Sequence, residues 1–317
     1  MNKIYISVCI ITMQRLEELT KLLQSINELE IDSDTYSTAI IVVDNDPGAS
    51  AKSTCEKIKS DLKFSLKYAH QPVRGIPQAR NSAIKAARAE TDFIVFVDDD
   101  ELVVKEWLSE LISVQERTNA DVVCGPVYPK FKSAIPEWIT NGEFFDRLGY
   151  NSSPDGEVVH YRKIKTGNLL LRKSLLDKIK GPFDESMALT GGTDTKLALE
   201  LHKKNAKMVW AANAITYEWV PSSRANAKWI FRRAFRTANT EIVIRTLEKN
   251  SSQRIPIFME GIIRFSYALF FMPFRFIQSL FMGKHIVIQH TRILYRGAGM
   301  MSSCFGYKFN EYATIYK

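Results

Sequence analysis

Cysteine is scarce in this chain, and its four copies, Cys9, Cys55, Cys124 and Cys304, are scattered. There is no CxxC pair and no Cys/His cluster, so a structural zinc site is not expected. Three of the four sit in or beside apolar segments and read as buried thiols, which suits a reducing compartment. The five histidines, His70, His160, His202, His285 and His290, form no pair with metal-ligand spacing and receive no role. Repeats and low-complexity tracts are lacking too. The N-terminus offers Lys3 and a short apolar run, Ile4 to Ile11, with no small-residue cleavage site after it, so a cleaved signal peptide is not expected.

What the chain does have is length, apolar content and positive charge. Its 317 residues suffice for one large domain or two ordinary ones, and 45% hydrophobic residues can bury a core. Lys and Arg number 43 against 35 Asp and Glu, a net charge of +8. That balance favours an anionic partner: nucleic acid, an acidic membrane face or a phosphorylated small molecule. Composition alone does not choose among them.

Along the first half, short β-rich runs alternate with helical patterns. Ile4–Ile11, Ala39–Val43, Phe93–Val97 and Ala120–Cys124 read as strands, with a possible short one at Phe64–Tyr68. Glu17–Leu29, Ala51–Leu62, Pro77–Ala89 and Lys105–Arg117 read as helices, the first from its apolar spacing at Leu19, Leu22, Leu23 and Ile26. Such alternation predicts an α/β fold, a mostly parallel sheet with helices on both faces. Residues 126–161 are loop-rich. Beyond them Ile164–Leu171 reads as a strand, "TDTKLALELHKKNA" as a helix that Thr193 could cap, and Lys207–Ala211 as the last strand.

After about Arg224 the character changes. "RANAKWIFRRAFR" reads as a basic, aromatic helix, and residues 255–283 are densely aromatic and apolar. Glu260, Arg264 and Arg275 interrupt that segment, Pro273 is expected to kink it, and Arg254, Lys284, Arg292 and Arg296 flank it. An element lying in the membrane interface fits best, with a buried core helix and a true span as the other readings.

In open α/β sheets ligands bind beyond the carboxyl ends of the strands. Here those ends carry Thr12, Asp44-Asn45-Asp46 and Asp98-Asp99-Asp100. Three adjacent carboxylates repel one another, and a divalent cation would relieve that. Mg²⁺ and Mn²⁺ prefer oxygen ligands and commonly combine one or two carboxylates with substrate phosphates. Arg74, Arg80 and Asn81 surround the start of the preceding helix, where N–H groups and guanidinium both favour phosphate. Blander readings exist: an acidic turn capping a helix for Asp98–Asp100, turn chemistry for Asp44, a solvated basic face for the arginines, and a first-turn carboxylate complementing the helix dipole for Asp194.

Taken together, "SVCIITMQR", "IIVVDND", "GIPQARNSAI", "FIVFVDDDE", "TGNLLLRKSLL", "GPFDES" and "GGTDTKLALEL" resemble family 2 inverting glycosyltransferases of the GT-A fold over about residues 4–220. Within that family the resemblance is to bacterial exopolysaccharide enzymes of the succinoglycan type. It implies a GT-A catalytic domain over 1–223, with a nucleotide-sugar half at 1–125 and an acceptor half at 126–223. A helical, membrane-associated extension over 224–317 would follow. By the same resemblance Thr12 and Asp44 hold the nucleotide base, Arg80 lies near base and phosphates, Asp98 and Asp99 contact ribose and sugar, Asp100 binds Mn²⁺ or Mg²⁺, and Asp194 is the catalytic base. The family commonly has Glu-Asp where this chain has Thr193-Asp194, which leaves a role for the Glu carboxylate unfilled. The Gln-x-x-Arg-Trp motif of processive members is absent, with "RANAKW" in a loosely similar place.

The reading that follows is a metal-dependent, inverting hexosyl- or hexosaminyl-transferase. It would use a UDP-sugar and a lipid-linked or other saccharide acceptor at the cytoplasmic face of the inner membrane, held there peripherally, in cell-surface or exopolysaccharide biosynthesis. Two rivals share some of its features. A sugar-phosphate nucleotidylyltransferase would use the same acidic edge, but the first strand-to-helix turn, "TMQRLEE", lacks a glycine-rich signature. A nucleic-acid-binding protein would need a basic face with exposed aromatics, and residues 224–236 lead into an apolar segment instead, so no nucleic-acid partner is expected.

Overall fold

The structure is a computed structural model that describes residues 3–145, 153–249 and 253–310. Its chain divides into two compact units. The first comprises residues 1–128, 148–188 and 193–218, and the second 129–147, 189–192 and 219–317.

The first unit is built on a seven-stranded sheet. Its strands in chain order are β1 (Ile4–Thr12), β2 (Tyr36–Asp44), β3 (Ser65–His70) and β4 (Phe93–Asp98), then, after the short β5 (Glu101–Val103), β6 (Val122–Cys124). The next, β7 (Val127–Phe131), belongs elsewhere, and β8 (Leu169–Arg172) and β9 (Met208–Trp210) complete the set. Spatial order is β3-β2-β1-β4-β8-β6-β9. Pairing is parallel along β3, β2, β1 and β4 and between β6 and β9. Only β8 runs the other way, antiparallel to both β4 and β6. The expected strand at Ile164–Leu171 starts later, at Leu169, because the chain first makes a turn at residues 166–167. Nor is Lys207–Ala211 the end of the strands: β10 (Thr216–Val220) follows and pairs antiparallel with β5. With β7 it forms a small second sheet of order β5-β10-β7.

Why the strands read so clearly is visible in burial. Parallel strands covered on both faces show near-continuous apolar runs. Ile6, Val8 and Ile10 of β1, with Val95 and Val97 of β4, join one buried cluster with Leu19, Leu22, Leu23 and Ile26 of α1 (Leu16–Asn27). After α2 (Lys52–Ile58) and α3 (Ile76–Ala86), α4 (Trp107–Thr118) adds Trp107, Leu108 and Leu111 to the same cluster. Alternate residues such as Cys9, Ile41 and Phe96, equally buried, point to the opposite face. Asn168, just before β8, ties these layers: its Oδ1 accepts from Trp107 Nε1 at 2.9 Å and its Nδ2 donates to the carbonyls of Pro126 and Ala214.

In the second unit, α5 (Glu137–Asn141) precedes the long helices. Two helices of the first unit, α6 (Lys173–Leu176) and α7 (Thr193–Lys203), come between in sequence. α8 (Ala227–Lys249), α9 (Arg254–Met282) and α10 (His285–Cys304) make up most of the unit. Gly261 of α9 meets Gly297 of α10 so closely that a Cβ on Gly297 would lie 2.7 Å from the Gly261 carbonyl oxygen. His290 of α10 bonds the Ala268 carbonyl at 2.8 Å. α9 is long and apolar enough to cross a membrane, and Pro273 sits inside it without ending it. Ile257, Gly261 and Ala268 are buried, whereas beyond Ala268 apolar side chains stand in the open on most sides. Phe270 is 78% and Phe281 85% exposed, where a packed helix would have its aromatics near zero.

Candidate active site

The parallel registers bring the polar strand ends to one edge. Thr12 pairs with Asp44 and Ile11 with Asp98, so β1, β2 and β4 finish level with one another. The sheet order turns between β1 and β4, since β2 and β3 lie on one side of β1 and β4 on the other. Crevices at such switch points are where α/β folds place ligands.

There the three aspartates diverge. Asp98 is the open one, its side chain 42% exposed, and Arg80 Nη2 approaches its Oδ1 to 3.3 Å. Asp99 turns inward: Thr12 Oγ1 donates to its Oδ2 at 2.9 Å and Arg15 Nη1 to its Oδ1 at 2.9 Å. Asp100 meets the same guanidinium nitrogen at 2.8 Å. Burial is the main cause lifting the Asp99 carboxyl above its usual range, and Arg15 and Thr12 oppose it. For Asp100, burial leads and Asp99, Asp98 and Glu218 add repulsion; against the pull of Arg15 they push it up to about 7. Glu101 is buried behind them, and its carboxyl is raised well above its usual range, again by burial first, with Asp98, Asp100 and Glu218 adding repulsion. Its Oε2 accepts from the Asp98 amide at 3.2 Å, and a Cβ on Gly167 would come within 2.3 Å of its Oε1, which explains a glycine there.

Among the described residues no three His, Cys, Asp or Glu side chains converge as a ready-made cation cage. The donor set fits a different kind of site. Asp98 and Asp100 offer hard oxygens at an accessible edge, and a Mg²⁺-type ion completes its shell from substrate phosphates and water. A cation already bridges Asp99 and Asp100 here in the form of the Arg15 guanidinium. Excess negative charge and a positive stand-in both match a divalent ion.

Asp44 is fully buried and heavily engaged. Its carboxylate accepts from the amides of Asp46 and Ala51 and from the Tyr68 hydroxyl, which fixes the β2–α2 turn. A carboxylate offers about four acceptor positions, so three are used internally. Asn45 shapes the same edge: it accepts from the Gly75 amide at 2.8 Å and donates to the carbonyls of Gln71 and Val73. Gly75 takes φ 150, and a Cβ on it would collide with Gln78, so only glycine fits ahead of α3. Arg74 lies in that turn with its Nε buried and without a hydrogen-bond partner, as is the Nε of Arg80 in α3. Two buried guanidinium donors left unpaired suit an anion.

Asp194 stands on another element, one residue into α7, after Gly191 and Gly192 turn the chain with φ 75 and 86. Its Oδ1 accepts from the Thr195 amide at 2.8 Å, and Lys165 Nζ lies 3.7 Å from its Oδ2. Lys165 also donates to Thr195 Oγ1 at 3.1 Å. The loop "GPFDES" links this helix to α3. Asn81 bonds both the amide and the carbonyl of Phe183, the Phe183 ring meets Phe96 edge-on at 5.5 Å, and Asp184 pairs with Lys196 of α7. Arg80 stacks over the same Phe183 ring.

Of the residues singled out in the sequence, Thr12, Arg80, Asp98, Asp99 and Asp100 come together; Asp44 lies beside them with its carboxylate turned into the backbone, and Arg74 and Asp194 sit on separate elements. Sequence reasoning missed Arg15, Glu101 and Lys165. Arg15 and Lys165 each lie in a stretch whose pattern stands out, but nothing local marks a partner 85 or 29 residues away.

The family described as glycosyl transferase family 2 matches residues 7–179 of the chain. The succinoglycan biosynthesis protein ExoM of Rhizobium meliloti (strain 1021) is 30% identical over 237 residues, covering 75% of this chain and 74% of that protein. Among solved structures, the mannosyltransferase PcManGT from Pyrobaculum calidifontis in complex with GDP-Man and Mn²⁺ aligns with a TM-score of 0.63 at 15% identity, over 97% of this chain and 89% of that one. Residues 1–349 of S. aureus TarS in complex with UDP align with a TM-score of 0.54 at 17% identity, over 96% and 92% of the two chains. At such identity these two likenesses speak to the fold, which they share: a GT-A-like α/β architecture.

Proposed function

The chain belongs to glycosyl transferase family 2, and from that premise we propose that it moves a hexosyl or hexosaminyl unit from a UDP-sugar to a hydroxyl of a lipid-linked saccharide, with inversion, in exopolysaccharide assembly. The observation that carries this reading is the meeting of Thr12, Arg80 and Asp98–Asp100 at the switch point of the sheet. Thr12 and Asp44 line the base end, Asp98 and Asp99 the ribose and sugar, and Arg74 and Arg80 offer unpaired guanidinium donors to the diphosphate. Asp100 would hold Mn²⁺ or Mg²⁺, with Asp98 beside it. Such an ion supplies Lewis-acid stabilisation of the charge that develops on the departing diphosphate.

Asp194 accepts the proton of the acceptor hydroxyl as that oxygen attacks the anomeric carbon. The Thr195 amide and Lys165 hold its carboxylate oriented. Direct displacement by the acceptor inverts the anomeric centre. The relative from Rhizobium meliloti, a succinoglycan biosynthesis protein, supports the assignment to exopolysaccharide assembly. The test is a screen of UDP-, GDP- and dTDP-sugars with Mn²⁺ or Mg²⁺, reading nucleoside diphosphate release with and without EDTA. UDP release that needs the metal is expected; undiminished release in EDTA would remove the metal from the reaction.

We also propose that α9 holds the enzyme peripherally on the cytoplasmic face of the inner membrane. Its exposed apolar side chains can enter the headgroup boundary, while Arg254, Arg275 and Lys284 reach anionic lipid, each basic group contributing about 1 kcal/mol near such a surface. Salt screens only the second contribution. Full-length protein should float with anionic liposomes, be released in part by high salt, and lose most of its binding when Phe270, Phe274 and Phe281 are changed to Ser. Flotation unaltered by that triple change would rule α9 out as the attachment.

A further inference from the structure

Arg15 stands where a divalent ion would be needed. It follows β1 at the sheet's switch point, and its guanidinium spans Asp99 Oδ1 at 2.9 Å and Asp100 Oδ2 at 2.8 Å. A divalent ion held by Asp100 would compete with the guanidinium for the same carboxylate. Two cations that close repel one another, so the guanidinium is favoured to leave when the ion binds. The side chain is free to do so, since it is 43% exposed and departs toward solvent rather than through the core. Leaving is costly while the acidic cluster has nothing in exchange, because Asp99 and Asp100 would lose the one guanidinium nitrogen they share. A diphosphate changes the balance. It brings a metal ion's remaining ligands, and it is a planar-fork acceptor for the displaced guanidinium, which binds phosphate oxygens in pairs.

We propose that Arg15 is a placeholder cation: it occupies the Asp99–Asp100 pair, excludes a divalent ion that arrives alone, and turns to the diphosphate when ion and donor enter together. Metal and donor then bind as an interdependent pair, and the acidic edge does not collect metal without substrate. This rests on reading the edge as a nucleotide-sugar site.

The experiment compares full-length wild type, Arg15→Gln and Arg15→Lys by calorimetry and thermal unfolding, with Mn²⁺ alone, UDP alone and both. Without nucleotide, Arg15→Gln should bind Mn²⁺ at least about tenfold more tightly than wild type, because removing a competing state raises apparent affinity. Arg15→Lys, whose ammonium sits on a shorter stem than the Arg15 Nη1 that meets both carboxylates, should fall between them. Mn²⁺ alone should raise the unfolding temperature of Arg15→Gln and leave wild type unchanged. The mutual enhancement of UDP and Mn²⁺ binding should shrink in Arg15→Gln, by about tenfold, within the usual range of coupling between sites. Equal Mn²⁺ affinity in wild type and both variants, with wild type still binding UDP and Mn²⁺ together, overturns the placeholder role alone. Wild type that binds no nucleotide with Mn²⁺ overturns the reading of the site and this proposal with it. Should Arg15→Gln fail to fold, Arg15→Lys against wild type decides by the same comparison.

Discussion

Replacing Asp194 by Asn is expected to lower transfer by about 10²–10⁴-fold while donor binding stays within about twofold of wild type, the range general-base catalysis usually supplies. The substitution keeps the shape of the side chain and its acceptor oxygen for the Thr195 amide, which is 2.8 Å from Oδ1. It removes the negative charge and with it the ability to take a proton. α7 should keep its place, because Asp184 pairs with Lys196 and the "GPFDES" loop remains tied to Asn81. The measurement is kcat with a saturating acceptor, alongside UDP affinity by calorimetry. A loss smaller than about tenfold would make proton abstraction by Asp194 untenable, because it falls below the effect of even a modest general base.

Asp100→Ala should abolish metal-dependent donor binding and leave the fold intact. Burial, with Asp99, Asp98 and Glu218 and against the pull of Arg15, pushes the Asp100 carboxyl up to about 7. Removing it relieves repulsion, and Arg15 retains its bond to Asp99, so the unfolding temperature should not drop. Enhancement of UDP affinity by Mn²⁺, in contrast, should vanish with the ligand. Calorimetry of UDP with and without Mn²⁺ tests this. Undiminished enhancement in the variant would take Asp100 out of the metal site.

Both expectations start from residues that stand out in the chain itself. Asp98–Asp100 stand out because an apolar run delivers three adjacent carboxylates to a strand end, and Asp194 because two glycines and a helical pattern bracket it. The helix-strand alternation and the layered sheet were legible because burial on both faces of parallel strands writes itself as local apolar runs, and glycine turns as local punctuation; the family was legible from the resemblance of the motifs taken together.

Other features had no local signature. β8 enters antiparallel between β4 and β6, although it follows them by many residues, and the small β5-β10-β7 sheet draws on strands of three to five residues. Such short runs carry too little pattern to be read, and pairing direction depends on which edge is open when the chain returns. Pro273 lacks the N–H that an inner helical turn uses, and α9 runs through it from Arg254 to Met282. The engagement of Asp44 by two amides and a tyrosine depended on the β2–α2 turn closing around it.

By itself, then, the sequence determined the family, the layered α/β architecture, the acidic strand ends and the apolar character of residues 255–283. The family follows from the resemblance of its motifs, and the others from side-chain chemistry laid out along the chain, both present before any folding. Tertiary structure alone decided which charges face one another. It set Arg15 across Asp99 and Asp100, Lys165 beside Asp194, and buried Glu101 against Gly167. Those arrangements depend on strand register and on distance through space, and Coulomb interaction in a buried site is decided by a few ångströms that no spacing along the chain encodes.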